Sequence, residues 1–138
     1  MSVNIYLNFD GNCREAVQFY HEVFKTSPPE IMTFGEGPSD PAFPVPEEAK
    51  NRVMHTRLDI HGNPVMFSDT WPGMPFTAGN NFSLTIVTHD LEEIDSLFEK
   101  LQEGGSVDMP LQETFWSKRY GAVTDRFGIS WQFSHEPG

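Results

Sequence analysis

Two amphipathic stretches of this chain superpose under a single shift, and that repeat restricts the fold more than any other feature. Ala16, Phe19, Tyr20 and Val23 fall at i, i+3, i+4 and i+7, one face of a helix that begins near Arg14. Ile94, Leu97, Phe98 and Leu101 repeat that spacing 78 residues later. The same shift carries the strand-like run at residues 5–9 onto residues 83–87. A strand followed by a helix, twice at one offset, indicates an internal duplication.

The segments around these anchors fill in both copies. The first strand closes on the turn Asp10-Gly11-Asn12, and Pro28-Pro29 prevents the helix from continuing. Residues 35–46 hold four prolines and few apolar side chains, which predicts a loop or flap. Residues 53–60 and 65–68 read as strands joined by His61-Gly62-Asn63, and a Pro/Gly-rich stretch at 71–79 closes this half. The second half opens with a strand at 82–87. A helix starts near Leu91 and is ended by Gly104-Gly105, and strands follow at 107–109, 122–124 and 129–134. Each half therefore reads β-α-β-β-β, with the first copy's missing strand placed near residues 31–34. The expected fold class is α+β, one domain over residues 1–138 made of two modules at about 1–72 and 80–136.

Composition removes several classes of function. Nine Lys and Arg stand against twenty Asp and Glu, a formal charge of −11. The few cations are scattered, so no basic stripe is available to neutralise phosphates, and neither nucleic acid nor an anionic membrane is an expected partner. No apolar run approaches the roughly 20 residues that a spanning helix needs. The N-terminus lacks the charged and apolar segments of a signal peptide. The single cysteine, Cys13, rules out an internal disulfide and fits a reducing cytoplasm. A helix start and Arg14 beside it would favour its thiolate, whereas burial would leave it an inert packing group.

The order of short motifs resembles the vicinal oxygen chelate superfamily, and within it the PhnB-like branch. Those motifs are Tyr6-Leu-Asn-Phe-Asp-Gly-Asn-Cys13, Phe19-Tyr20 with Val23-Phe24, and Pro64-Val65-Met66 leading to Ser68-Asp69. They continue with Asn80-Asn81-Phe82, Gly104-Gly105, Met109-Pro110-Leu111, Phe115-Trp116 and Asp125-Arg-Phe-Gly-Ile-Ser-Trp131. The superfamily includes glyoxalases, extradiol dioxygenases and bleomycin-resistance proteins. The resemblance covers nearly the whole chain, and it implies two modules forming a cupped, glyoxalase-like sheet around a small molecule, commonly in a homodimer. It also implies four metal-ligand positions, on the first and last strand of each module, which map here onto Ile5, Met66, Ser83 and Gln132.

Those four side chains are poor donors for a divalent ion, and shifting the alignment one residue either way does not supply better ones. No metal and no cofactor is therefore expected. Members of the branch often carry the label 3-demethylubiquinone methyltransferase, which would require an S-adenosylmethionine site. The nearest glycine pair, in Gly35-Glu36-Gly37, runs into prolines rather than a helix. The expected function is a small-molecule-binding protein, with Ser68, Ser83, Phe115, Trp116, Tyr120 and Gln132 as ligand contacts. Phe115, Trp116 and Tyr120 are expected in a loop over the cavity. The alternative is a metal-independent lyase, isomerase or transferase using Asp69 or His55 as base. His55 sits inside a predicted strand, and an imidazole is a side chain suited to proton transfer near neutrality. The remaining histidines are assigned to helix faces, turns and, for His135, a frayed terminus.

Overall fold

The computed structural model describes residues 1–37 and 41–138, and their contacts divide into two compact units, Met1–Phe76 and Thr77–Gly138. The first module runs β1 (Ile5–Phe9), α1 (Cys13–Phe24), β2 (Met32–Thr33), α2 (Glu47–Lys50), β3 (Val53–Ile60) and β4 (Asn63–Asp69). The second runs β5 (Leu84–Thr88), α3 (Leu91–Gln102), β6 (Ser106–Gln112), β7 (Tyr120–Thr124) and β8 (Ser130–His135). Each module holds one four-stranded sheet, ordered β1-β4-β3-β2 in the first and β5-β8-β7-β6 in the second. In both, the first strand lies parallel to the last, and the other pairings are antiparallel. The β-α-β-β-β order read from the repeat is the architecture, and the strand near residues 31–34 is the two-residue β2. The expected loop at 35–46 lies partly on residues 38–40, outside the described residues. Beyond that loop the chain adds the one-turn helix α2.

The helical faces pack as their periodicity requires. Ala16, Val17, Tyr20 and Val23 are buried against one side of the first sheet, with Tyr20 stacked on Phe67 at 5.8 Å between centroids. Ile94, Leu97 and Leu101 occupy the same place in the second module, beside Val123, Trp131 and Phe133. Burying a ring such as Phe67 or Phe133 stabilises each module by about 1.5–3 kcal/mol. Two glycines are demanded by geometry. Gly62, at φ +79, follows His61 at φ +51 in the two-residue β3–β4 turn, a mirror-image turn that suits the strands' twist. A Cβ on Gly105 would come within 2.1 Å of the Thr124 carbonyl oxygen, so only glycine lets that turn close on β7.

Because side chains alternate across a strand, each sheet has a helix-covered face and an open face. The open face of the first sheet carries Tyr6, Asn8, His55, Arg57, Met66 and Ser68. That of the second carries Thr85, Val87, Tyr120, Ala122, Ser130, Gln132 and Ser134. The registers also refine the repeat. Ile5 pairs with Val65 as Leu84 pairs with Trp131, so the strands correspond at an offset of 79, one more than the helices. The extra residue lies in the β1–α1 turn, three residues long against two between β5 and α3.

Candidate functional site

In the second module the structure brings five expected ligand contacts into one connected group. Tyr120 opens β7 and Gln132 lies on β8, two residues of adjacent strands that share the open face. The Tyr120 hydroxyl donates to Oε1 of Gln132, and Nε2 of Gln132 donates to Oγ of Ser83 at 2.8 Å. Trp116 meets the Tyr120 ring edge to face at 5.4 Å, and Phe115 meets Trp116 in the same way at 4.7 Å. Phe115 is 97% exposed and Trp116 56%, a large apolar surface for two adjacent residues. Tyr120 is a strand residue rather than part of the loop expected to hold it, and this fixes its hydroxyl on the sheet.

The loop carrying the aromatic pair is itself held in place. The Ser117 hydroxyl donates to the backbone oxygens of Arg119 and His135 and accepts from the His135 amide. Arg119 grips both carboxylate oxygens of Asp95 on α3. Between this loop and the end of β8 lies a cavity of about 220 Å³ lined by Phe115, Trp116, Ser117, Lys118 and His135. His135 is not frayed. It is 7% exposed as the last residue of β8, with Nε2 3.2 Å from the His89 carbonyl oxygen.

The first module distributes its candidates over two faces. His55 is exposed on the open face, with Nδ1 3.2 Å from the Tyr6 hydroxyl, and the Ser68 hydroxyl donates to Oδ1 of Asn8 at 3.1 Å. Asp69 points the other way, beneath the start of α1, and is 4% exposed. Its Oδ1 accepts from the Gly11 and Cys13 amides at 2.8 and 3.0 Å, and Oδ2 from the Val53 amide at 2.9 Å. Asp69 therefore closes the N-terminus of α1 and binds it to β3, not the turn that follows β4. His55 and Asp69 are not brought together. Cys13 is fully buried beside Asp69. Burial, reinforced by that carboxylate and only partly opposed by Arg14, pushes its thiol well above the ordinary range, so the helix start does not activate it.

Sequence reasoning missed Tyr6 and Asn8, although their parity with Met66 and Ser68 would have found them once the β1–β4 register was known. The same register corrects the four mapped positions. Ile5 lies on the helix side with Phe9, and the open-face counterpart of Ser83 is Asn4. Asn, Met, Ser and Gln then occupy the four places. All are neutral, and Ser83 and Gln132 already bond one another. Among the described residues no three His, Cys, Asp or Glu side chains converge. These residues do not fit a divalent ion.

The Gly35–Gly37 turn fits a nucleoside cofactor no better. Gly35 is bonded to and packed on the backbone of Lys50, and Gly37 lies against the Met54 side chain. No strand–turn–helix unit surrounds the pair among the described residues. No helix there is long and apolar enough to cross a membrane.

Comparison with known proteins agrees with this architecture. The model of the 3-demethylubiquinone-9 3-methyltransferase family matches residues 1–134. The crystal structure of protein PA1353 from Pseudomonas aeruginosa is 36% identical, with a TM-score of 0.87 over 100% of this chain and 99% of that one. A PhnB protein from Bacillus cereus is 28% identical, with a TM-score of 0.75 over 99% of this chain and 100% of that one. A glyoxalase-related enzyme from Fulvimarina pelagi, 15% identical over 99% and 89%, shares the fold at a TM-score of 0.63. The chain belongs to the 3-demethylubiquinone-9 3-methyltransferase family, and its fold is shared with the glyoxalase-related enzyme.

Proposed function

We propose that this protein binds a small, partly aromatic molecule on the open face of its second sheet, without a divalent metal. The observation that carries the reading is the unbroken series from Phe115 and Trp116 through Tyr120 and Gln132 to Ser83. Its aromatic end offers ring faces and edges, and its polar end offers an amide and a hydroxyl that can each donate and accept. The Tyr120–Gln132 bond orients the amide before a ligand arrives, which lowers the ordering cost of binding. The donor set at the superfamily's metal positions supports the metal-free form of the reading, and the packed Gly35–Gly37 turn argues against methyl transfer from a nucleoside cofactor. Saturation-transfer NMR with one-ring phenols and aromatic acids, in excess EDTA, tests the proposal. Binding is expected in the wild type and at least tenfold weaker in Gln132→Leu. Binding that appears only with added divalent ion, or that ignores the substitution, contradicts it.

A second reading is favoured by one specific contact, the Tyr6–His55 pair on the first module's open face. There His55 acts as a base in a metal-independent lyase, isomerase or transferase, with the Tyr6 hydroxyl holding the ring's orientation. Ser68 and Asn8 on the same face serve as polar ligand contacts, whereas the carboxylate of Asp69 is committed to three amides. Turnover that survives His55→Ala eliminates this reading.

A further inference from the structure

Hydrogen-bond direction along the Tyr120–Gln132–Ser83 series determines what its polar end has left to offer. A hydroxyl carries one proton and a primary amide two. Tyr120 spends its proton on Oε1 of Gln132, and Gln132 spends one of its two on Oγ of Ser83. Ser83 receives a bond there, and its own proton meets no acceptor among the described residues. The second amide proton of Gln132 is likewise unspent. Thr85 adds a third. It pairs with Gln132 across β5 and β8, is exposed on the open face, and its hydroxyl bonds no group among the described residues. Ser83 and Thr85 are two residues apart at the start of β5, so they share that face and flank the amide. Formal charge is missing from the same place. None of the open-face side chains of β5, β7 and β8 is ionisable to a cation, and Asp108, whose carboxylate takes the Thr124 hydroxyl at 2.7 Å, lies beyond β7 from Gln132.

We infer that the ligand proposed above, on whose existence this rests, is a ring bearing a neutral carbonyl acceptor, such as an aryl ketone. Its oxygen takes the free protons of Ser83, Gln132 and Thr85, and its ring meets Trp116 and Phe115. A carbonyl oxygen has two lone pairs and no proton of its own, so it satisfies a cluster of donors without adding an unpaired one. A carboxylate also accepts, but no cation on this face replaces its hydration, and the chain carries a formal charge of −11. A ring hydroxyl brings a proton to a place already rich in them, where Oε1 of Gln132 and Oγ of Ser83 each accept a bond already.

NMR titration with four matched one-ring compounds tests the class: acetophenone, phenol, benzoate and ethylbenzene. The wild type should bind acetophenone about tenfold more tightly than ethylbenzene, the worth of one or two net hydrogen bonds, and more tightly than phenol or benzoate. Thr85→Val keeps a branched strand residue and removes one proton, so the preference for acetophenone should shrink to about threefold while ethylbenzene binds as before. Gln132→Glu replaces a donor by an acceptor of the same length and should reverse the order, placing phenol above acetophenone. Rings that bind without discrimination overturn the carbonyl assignment and leave the ligand site standing. A wild-type preference for phenol or benzoate also overturns it, as does a Gln132→Glu chain that still favours acetophenone. If none of the four compounds binds, the ligand site fails and the assignment fails with it.

Discussion

The two modules share one order of strands and helix but close the same joint by different means. In the second, α3 is capped from its own turn, with Oδ1 of Asp90 accepting from the amides of Glu92 and Glu93. In the first, Asn12 stands at the cap position and makes no such bond, and the carboxylate comes from the far end of β4, where Asp69 also holds β3. His135 occupies the place of Asp69 in the second module, pairing with Thr88 as Asp69 pairs with Phe9. A local cap serves one helix end. A long-range one ties a helix, two strands and a turn together, so its loss should spread through the module.

The largest expected effect tests that difference. Asp69→Ala should cost about 3 kcal/mol in urea unfolding, because three buried amides lose a charged acceptor. Asp90→Ala should cost about 1 kcal/mol, the usual value of a local cap. Equal losses would break the comparison. Between these falls the tenfold weakening of ligand binding in Gln132→Leu, about 1.4 kcal/mol, with little change in stability. Smallest at neutral pH is the effect of Cys13, whose counterpart at the start of α3 is Leu91. Its folded thiol is pushed above the ordinary 9.0, so the unfolded chain loses that proton first and stability falls as pH rises past that value. Iodoacetamide at pH 8 should leave Cys13 untouched in the native protein and alkylate it in urea. Comparable native and denatured rates would show that the α1 end is open.

Much of the fold was legible because it depends on periodicity. The two helical faces, the hairpin at His61-Gly62 and the β-α-β-β-β order all follow from spacing and turn chemistry. The second module's aromatic cluster was legible too, since Phe115, Trp116 and Tyr120 stand out in a short polar segment. What was not legible depended on register. Asp69 lies one residue beyond Ser68, and that single step moves it from the open face to the helix side, from an expected base to a structural acceptor. One extra residue in the β1–α1 turn likewise displaced Ile5 from the position that Asn4 holds. His135 looked like a frayed end because the partners that extend β8 through it, Thr88, His89 and Ser117, are distant in sequence.

Native mass spectrometry of protein purified without chelator or affinity metal tests the central claim most directly. The account predicts a non-covalent small-molecule adduct on the wild type, no stoichiometric divalent ion, and loss of the adduct in Gln132→Leu. One divalent ion per chain, or an adduct that survives the substitution, would contradict it.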